Sequence, residues 1–308
     1  MKKLLQIFIL ARDRISLFEE ALDSILVQDY SEVDIEIVIS DNSETDAIQN
    51  LLNSYPLSKE KFKYIRHLPP LRQDLHFQYI IDHCSADYLV MFHDDDIMHP
   101  DYVKVMYSTM KDSNFSALGC NAFQFRGKFL NNLRKTHKYK SLKIFNNKKD
   151  FLERYLVGNE GVAPYPGYLY KTEFVKKIPL TTLRSSFHGD VVFLSSLLDF
   201  GLVAWVQEPL MYYRIHSGSS SSKESVLGRK LLIKYMISQG IDPLSTPVFL
   251  NRYLYYLNWF IQQGPFFINI SKWRYRIVAK FLLLKSINVM KTSYFWLTIL
   301  RKLKILKH

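Results

Sequence analysis

Cysteine is scarce: the 308 residues contain only Cys84 and Cys120, with no Cys-x-x-Cys pair. That excludes a disulfide scaffold and a zinc-ribbon site, and it fits a reducing compartment. Glycine and proline are sparse too, at 11 each, too few for a low-complexity chain. Acidic residues are missing altogether from 243–308, which carry 11 Lys and Arg, whereas residues 1–242 hold 30 basic and 29 acidic side chains. The net charge of +12 therefore belongs to the C-terminal stretch and is not a steering field spread over the molecule. A long uninterrupted apolar run is also lacking. Tyr253 to Ser271 is broken by QQGP, and lysines punctuate the residues that follow, so no spanning helix is expected. The opening MKKLLQIFILARDR imitates a signal peptide, but its apolar run, Leu4 to Ala11, is short, contains Gln6 and leads into Arg12-Asp13-Arg14. It reads as a first buried strand.

What is present alternates between two periods. Strands are expected at 4–11, 34–40 (DIEIVIS), 63–68, 87–92 and within 115–126, and a strand-like stretch at 203–216 is broken at Pro209. Helical spacing covers Ser16–Val27, with Ser16 as N-cap and Glu19 completing a capping box, then Asp46–Tyr55, Gln73–Cys84 and the stretch opened by Pro100. A short helix is expected at FLERYLVG, and another at 190–201, closed by Gly201. Residues 128–149, rich in Lys and Asn, read as a variable loop, and SGSSSSKES at 217–225 as a linker. Strands alternating with helices predict an α/β fold, a mostly parallel Rossmann-like sheet flanked by helices. Such sheets bind ligands beyond the carboxyl ends of their strands, which singles out Arg12, Asp41 and Asp94 to Asp96. The predicted domains are residues 1–222 and a helical basic extension, 223–308.

Asp94, Asp95 and Asp96 follow the apolar run YLVMF after one histidine, His93. Three clustered carboxylates at a strand end make a hard-oxygen site suited to Mg²⁺ or Mn²⁺. The plainer alternative is that Asp96 and Asp101 favour the positive end of the helix opened by Pro100. Asp41, at the end of EIVIS, has its own plain reading as a turn residue capping NSETD.

Taken together, the motifs resemble the inverting glycosyltransferases of family 2, which have the GT-A fold. The resemblance covers roughly residues 4–216. It rests on the apolar opening strand, ALDSILVQDY at 21–30, VISDNSETD at 38–46, Arg72, the aspartates at 94–96 with Pro100 behind them, HGDVVFL, and YRIHSGSSS at 213–221. It implies a nucleotide-sugar donor, most simply a UDP-sugar, with Asp41 accepting from uracil N3–H, Asp94 at the ribose or a metal-bound water, and Arg12, Arg72 and Arg214 on the nucleotide or its phosphates. It implies a metal site at Asp95, Asp96 and His216, whose Mn²⁺ or Mg²⁺ neutralises the departing diphosphate. It implies Asp190 as the general base that takes the acceptor hydroxyl proton; its plain alternative is the N-cap of the following helix. Residues 217–224 would act as a lid. The chain departs from the family pattern at Ala11-Arg12, where Thr-Tyr is usual, at His93, where Asp is frequent, and at Gly189, where Glu is usual.

The aromatic, basic stretch 243–308 has the composition of an interfacial segment on an anionic membrane surface, with Trp273 and Trp296 beside Lys and Arg. A packed helical subdomain is its plain alternative, and no nucleic-acid motif accompanies the charge. The expected protein is thus a peripheral enzyme on the cytoplasmic face of a cell membrane, whose saccharide acceptor is lipid-linked in bacterial surface polysaccharide synthesis. Two rivals stand beside it. One is a sugar nucleotidyltransferase, disfavoured because residues 10–16, LARDRIS, lack glycine for a phosphate loop. The other is a non-enzymatic membrane-surface protein with structural aspartates.

Overall fold

A computed structural model describes residues 2–55, 62–126, 133–136, 141–157, 162–178, 188–216 and 226–241. The linker, lid and tail expected from residue 217 onward lie outside the described residues, apart from one helix at 226–238. The chain divides into two units: residues 1–148 with 160–224, and residues 149–159 with those from 225 onward.

The first unit is built on a ten-stranded sheet. Its strands are β1 (Leu4–Ala11), β2 (Asp34–Asp41), β3 (Phe62–Arg66), β4 (Tyr88–His93), β5 (Ile97–Met98), β6 (Phe115–Phe125), β7 (Arg134–Lys135), β8 (Lys143–Phe145), β9 (Tyr168–Lys171) and β10 (Leu202–Arg214). The helices are α1 (Ile15–Leu26), α2 (Ala47–Ser54), α3 (Gln73–His83), α4 (Tyr102–Met110), α6 (Thr172–Val175) and α7 (Gly189–Ser196), while α5 (Lys148–Val157), from residue 149 on, and α8 (Val226–Ser238) belong to the second unit. The strand order is β3-β2-β1-β4-β9-β6-β10-β5. The half β3-β2-β1-β4 is wholly parallel, as the alternation of strands and helices predicts. Beyond β4 the sheet is mixed, because β9 runs antiparallel to both β4 and β6 while β6 and β10 are parallel.

Burial explains the central strands. β1 has neighbours on both edges, and all its residues from Leu5 to Ala11 are buried, Gln6 included. Gln6 is tolerated because its Oε1 accepts from the amides of Ser85 and Ala86. In α1, Phe18, Ala21, Leu22 and Ile25 recur at helical spacing and are fully buried. Burying each large side chain contributes about 1.5–3 kcal/mol.

The register fixes where the polar residues emerge. Ala11 pairs with Asp41 across β1 and β2, and Leu10 pairs with His93 across β1 and β4. The chain therefore delivers Arg12, Asp41 and the aspartates to one edge, at the carboxyl ends of the parallel strands.

Four local expectations are corrected. The capping box at Ser16 and Glu19 does not form; α1 starts from Arg14, whose carbonyl accepts from Leu17 and Phe18, so Ser16 lies inside the helix. The 128–149 stretch is not all loop, since β7 and β8 add themselves to β6 and β10. Pro209 does not end its strand: β10 runs through it with register shifts on either side, and Asn121 Nδ2 donates to the Gln207 carbonyl at 3.0 Å within that irregular stretch. Gly201 follows a 3-10 turn at Leu197–Asp199 rather than α7 itself, and a Cβ there would meet the Asn114 carbonyl oxygen at 2.7 Å. That close backbone approach is what glycine supplies.

Candidate active site

The site begins with the turn after β1. Asp13 takes the left-handed conformation at φ 51°, held by its amide donating to Ser43 Oγ at 2.8 Å and its carboxylate accepting from the Glu44 amide at 3.1 Å. Arg14 then turns back onto the aspartates. Its Nη1 donates to Asp95 Oδ2 at 2.6 Å, and its Nη2 donates to Asp94 Oδ1. The Arg12 amide donates to Asp94 Oδ2 at 2.7 Å. Both oxygens of Asp94 are therefore engaged by the β1–α1 turn. Burial pushes the Asp94 carboxyl up to about 7 against the opposing pull of Arg14.

The opposite wall comes from β10. The short antiparallel pairing of β5 with β10 sets Arg214 against the aspartate turn. The Arg214 amide donates to Asp96 Oδ1 at 2.9 Å, and Nε donates to the Asp95 carbonyl at 2.9 Å. Its Nη2 reaches Glu20 at 2.6 Å, and its guanidinium lies 4.6 Å over the Phe125 ring. Buried and spent on these partners, Arg214 braces the aspartate turn. His216 Nε2 lies 2.8 Å from Asp95 Oδ2, the same oxygen that Arg14 holds.

One oxygen of each of Asp95 and Asp96 is thus fixed by protein. The other two, Asp95 Oδ1 and Asp96 Oδ2, are buried with no hydrogen-bond partner, and so is His93 Nε2. His93, Asp95 and Asp96 offer ligand atoms that lie within 4.8 Å of one another. Burial, and next to it the charge of Asp95, pushes the Asp96 carboxyl well up. Burial also acts to raise Asp95, but His93, Arg14 and His216 outweigh it and hold that carboxyl below its ordinary range. Three adjacent carboxyl groups make the pocket acidic and rich in oxygen even with Arg14 across Asp94 and Asp95. The donor set and its unmet atoms fit a divalent cation.

Asp41 is fully buried, with Oδ1 accepting from the Ser43 amide at 2.9 Å and Oδ2 from the Tyr64 hydroxyl at 2.7 Å. It caps its turn and stands at the same edge. Asn42 exchanges hydrogen bonds with Leu71, Nδ2 to carbonyl at 2.9 Å and amide to Oδ1 at 2.6 Å, which anchors the segment before Arg72 to the end of β2. The Arg72 guanidinium itself turns to Asp74 at 2.6 Å. Arg12 is exposed and lies 3.7 Å from Glu44.

Asp190 occupies the first turn of α7, whose N-cap is His188, so the plain reading of Asp190 as the cap is not what forms. Burial pushes its carboxyl up. Tyr165 connects it to the aspartate turn. The Tyr165 ring lies 6.3 Å from that of His93 and 6.3 Å from that of Phe193, one helical turn beyond Asp190. Burial and then the Asp190 charge push the Tyr165 phenol up.

Sequence alone does not single out Arg14, His93 as a partner of the aspartates, or Tyr165. The signal for Arg14 was present in ARDR, but only the left-handed turn at Asp13 decides which arginine folds inward.

Among known proteins, the family model of glycosyl transferase family 2 matches residues 6–178. No curated protein matches the chain. Among solved structures, S. aureus TarS matches with a TM-score of 0.61 at 13% identity, covering 91% of this chain and 48% of that one. The chain thus spans about half the length of that protein. TarS 1–349 in complex with UDP-GlcNAc matches with a TM-score of 0.60 at 13% identity, covering 91% of this chain and 79% of that one. The mannosyltransferase PcManGT from Pyrobaculum calidifontis, in complex with GDP-Man and Mn²⁺, matches with a TM-score of 0.55 at 12% identity, covering 100% of this chain and 89% of that one. At these identities the likeness is one of fold, and it is the GT-A fold expected from the sequence.

Proposed function

The chain belongs to glycosyl transferase family 2, and from that premise we propose that it moves one sugar, with inversion, from a nucleotide-sugar to a saccharide acceptor. The observation that carries this reading is the pair of buried, unpartnered carboxylate oxygens on Asp95 and Asp96 at the carboxyl end of β4. Such oxygens call for a cation, and a cation there would serve a diphosphate leaving group. Two structural neighbours support the donor class, one in complex with UDP-GlcNAc and one with GDP-Man and Mn²⁺.

Asp95 and Asp96 would hold a Mn²⁺ or Mg²⁺ ion, with His216 and Arg14 fixing Asp95 from outside. The ion would supply charge neutralisation to the leaving diphosphate. Asp94 locks the β1–α1 turn over which the nucleotide lies. Asp41, Arg12 and Arg72 stand at the same edge as nucleotide contacts. Asp41 is proposed as the acceptor of a base N–H, which suits uracil and makes a UDP-sugar the donor of first choice. Arg214 holds the aspartate turn rigid beneath the phosphates. Asp190 takes the proton of the acceptor hydroxyl as that oxygen attacks the anomeric carbon from the face opposite the departing diphosphate. Its desolvated carboxylate is a stronger base than one in water.

The acceptor is proposed to be a lipid-linked saccharide of a bacterial surface polysaccharide such as a capsule, met at the cytoplasmic face of the membrane. The basic, aromatic composition of 243–308 supports peripheral attachment to anionic lipid. Among the described residues no helix is long and apolar enough to cross a membrane.

Calorimetric titration with UDP, GDP and CDP, with and without Mn²⁺, on the wild type and on Asp95→Ala tests the reading. Metal-dependent UDP binding, lost in the variant, is the expected result. Binding of GDP in place of UDP would overturn the base assignment alone. No binding of any nucleotide would overturn the donor reading.

A further inference from the structure

The metal reading above leaves one acceptor unused. His93 Nε2 is buried without a partner, and so are Asp95 Oδ1 and Asp96 Oδ2. An unmet buried polar atom costs about 1–3 kcal/mol, so three in one place mark a ligand and not an accident of packing. The two aspartates are more than nine-tenths buried, and each is oriented by a bond to its other oxygen. His93 is packed by the rings of Phe77 at 6.2 Å and Tyr165 at 6.3 Å. One of its ring nitrogens lies within 4.8 Å of a carboxylate oxygen of both Asp95 and Asp96.

We propose that His93 donates an imidazole nitrogen to the same cation as Asp95 and Asp96, making a mixed nitrogen–oxygen site that selects Mn²⁺ or a later first-row ion over Mg²⁺. The inference rests on the metal-dependent reading of the active site and names its ligand set. Mg²⁺ is a hard ion that demands oxygen in a near-ideal octahedron and sheds water reluctantly. Imidazole suits first-row transition ions, whose affinity for nitrogen sites exceeds that of Mg²⁺. His216, expected from the sequence as a metal ligand, lies on the Asp95 oxygen that Arg14 already holds, so the proposal gives it the orientation of Asp95 and gives the nitrogen ligand to His93.

Electron paramagnetic resonance of Mn²⁺ added to the full chain, with and without UDP, tests the proposal without relying on turnover. The bound ion should show electron spin-echo modulation from a directly coordinated ¹⁴N, and a roughly tenfold excess of Mg²⁺ should fail to displace it. His93→Asp should keep Mn²⁺, lose the nitrogen modulation and lose about tenfold of the preference over Mg²⁺. His216→Asn should keep the modulation. Should His93→Asp fail to fold, the wild-type spectrum and His216→Asn still decide the matter. Bound Mn²⁺ with no nitrogen modulation in the wild type, or modulation lost in His216→Asn, overturns the His93 assignment and leaves the metal reading intact. Mn²⁺ that does not bind in either condition overturns both.

Discussion

Nη1 of Arg14 sits 2.6 Å from Oδ2 of Asp95, while Nη2 of the same guanidinium holds Asp94. A resident cation therefore makes part of the aspartate cluster tolerable, and it does so on the oxygen that faces away from the unpartnered one. Removing it exposes the remaining repulsion. Arg14→Ala should destabilise the fold by about 3 kcal/mol, the scale for stripping one partner from a buried ion pair. Because Arg14 is one-third exposed, that figure is an upper bound. Mn²⁺ should then raise the melting temperature of Arg14→Ala by more than it raises that of the wild type. Equal shifts would show that Arg14 does not share the charge burden.

Asp190 is proposed to take the acceptor proton, so it must be ionised to act. Burial raises its carboxyl above 3.8, its ordinary value. The acid limb of the kcat/KM profile should accordingly have its midpoint above 3.8, with activity lost as pH falls through it. Asp190→Asn should lower kcat by about 10²–10⁴ and leave the calorimetric affinity for UDP unchanged. A matching loss of donor affinity would move Asp190 from the reaction to the donor site.

Gly201 tests packing rather than chemistry. A methyl group on its Cα would lie 2.7 Å from the Asn114 carbonyl oxygen, which accepts from the Leu202 amide, and 3.1 Å from the Ser116 amide nitrogen, both backbone atoms where β6 begins beside β10. Gly201→Ala should cost about 1–3 kcal/mol, read as a lower urea midpoint with unchanged slope. An unchanged midpoint would mean that the β6–β10 edge gives way freely.

Much of this site was legible before any coordinates. Strands as apolar as LLQIFILA, with its single Gln6, announce burial on both faces, and a strand that ends in Asp41 or runs into Asp94 announces the carboxyl edge of a parallel sheet. Short strands were not legible. β5 and β9 are stabilised by partners far along the chain, at β10, β4 and β6, and two to four residues carry too little periodicity to show it. In sequence Arg214 reads as a phosphate contact, because sequence displays a charge and not its partners. Glu20, Phe125 and the Asp95 carbonyl claim it only once β10 pairs with β5. In sequence His93 is a departure from an acidic pattern. Its meaning lies in an unmet nitrogen, which only packing reveals.

Behind Asp41, Ser40 Oγ lies 2.9 Å from Nε2 of His67 and 2.8 Å from Nε2 of His76. A hydroxyl has one proton, so it donates to one ring and accepts from the other, which fixes opposite tautomers in two neutral imidazoles. A second proton would leave two facing N–H donors and a buried charge. Burial, reinforced by His67, pushes His76 down to about 4. The unfolded chain therefore binds the extra proton between its own value of 6.5 and the folded value of about 4. Stability is intact above that window and is lost as pH falls through it. His76→Gln should be less stable than the wild type at pH 7, yet its urea midpoint should decline less steeply between about pH 6.5 and pH 4. If the two proteins lose stability in parallel across that interval, the titration of His76 is not what links this edge of the sheet to pH.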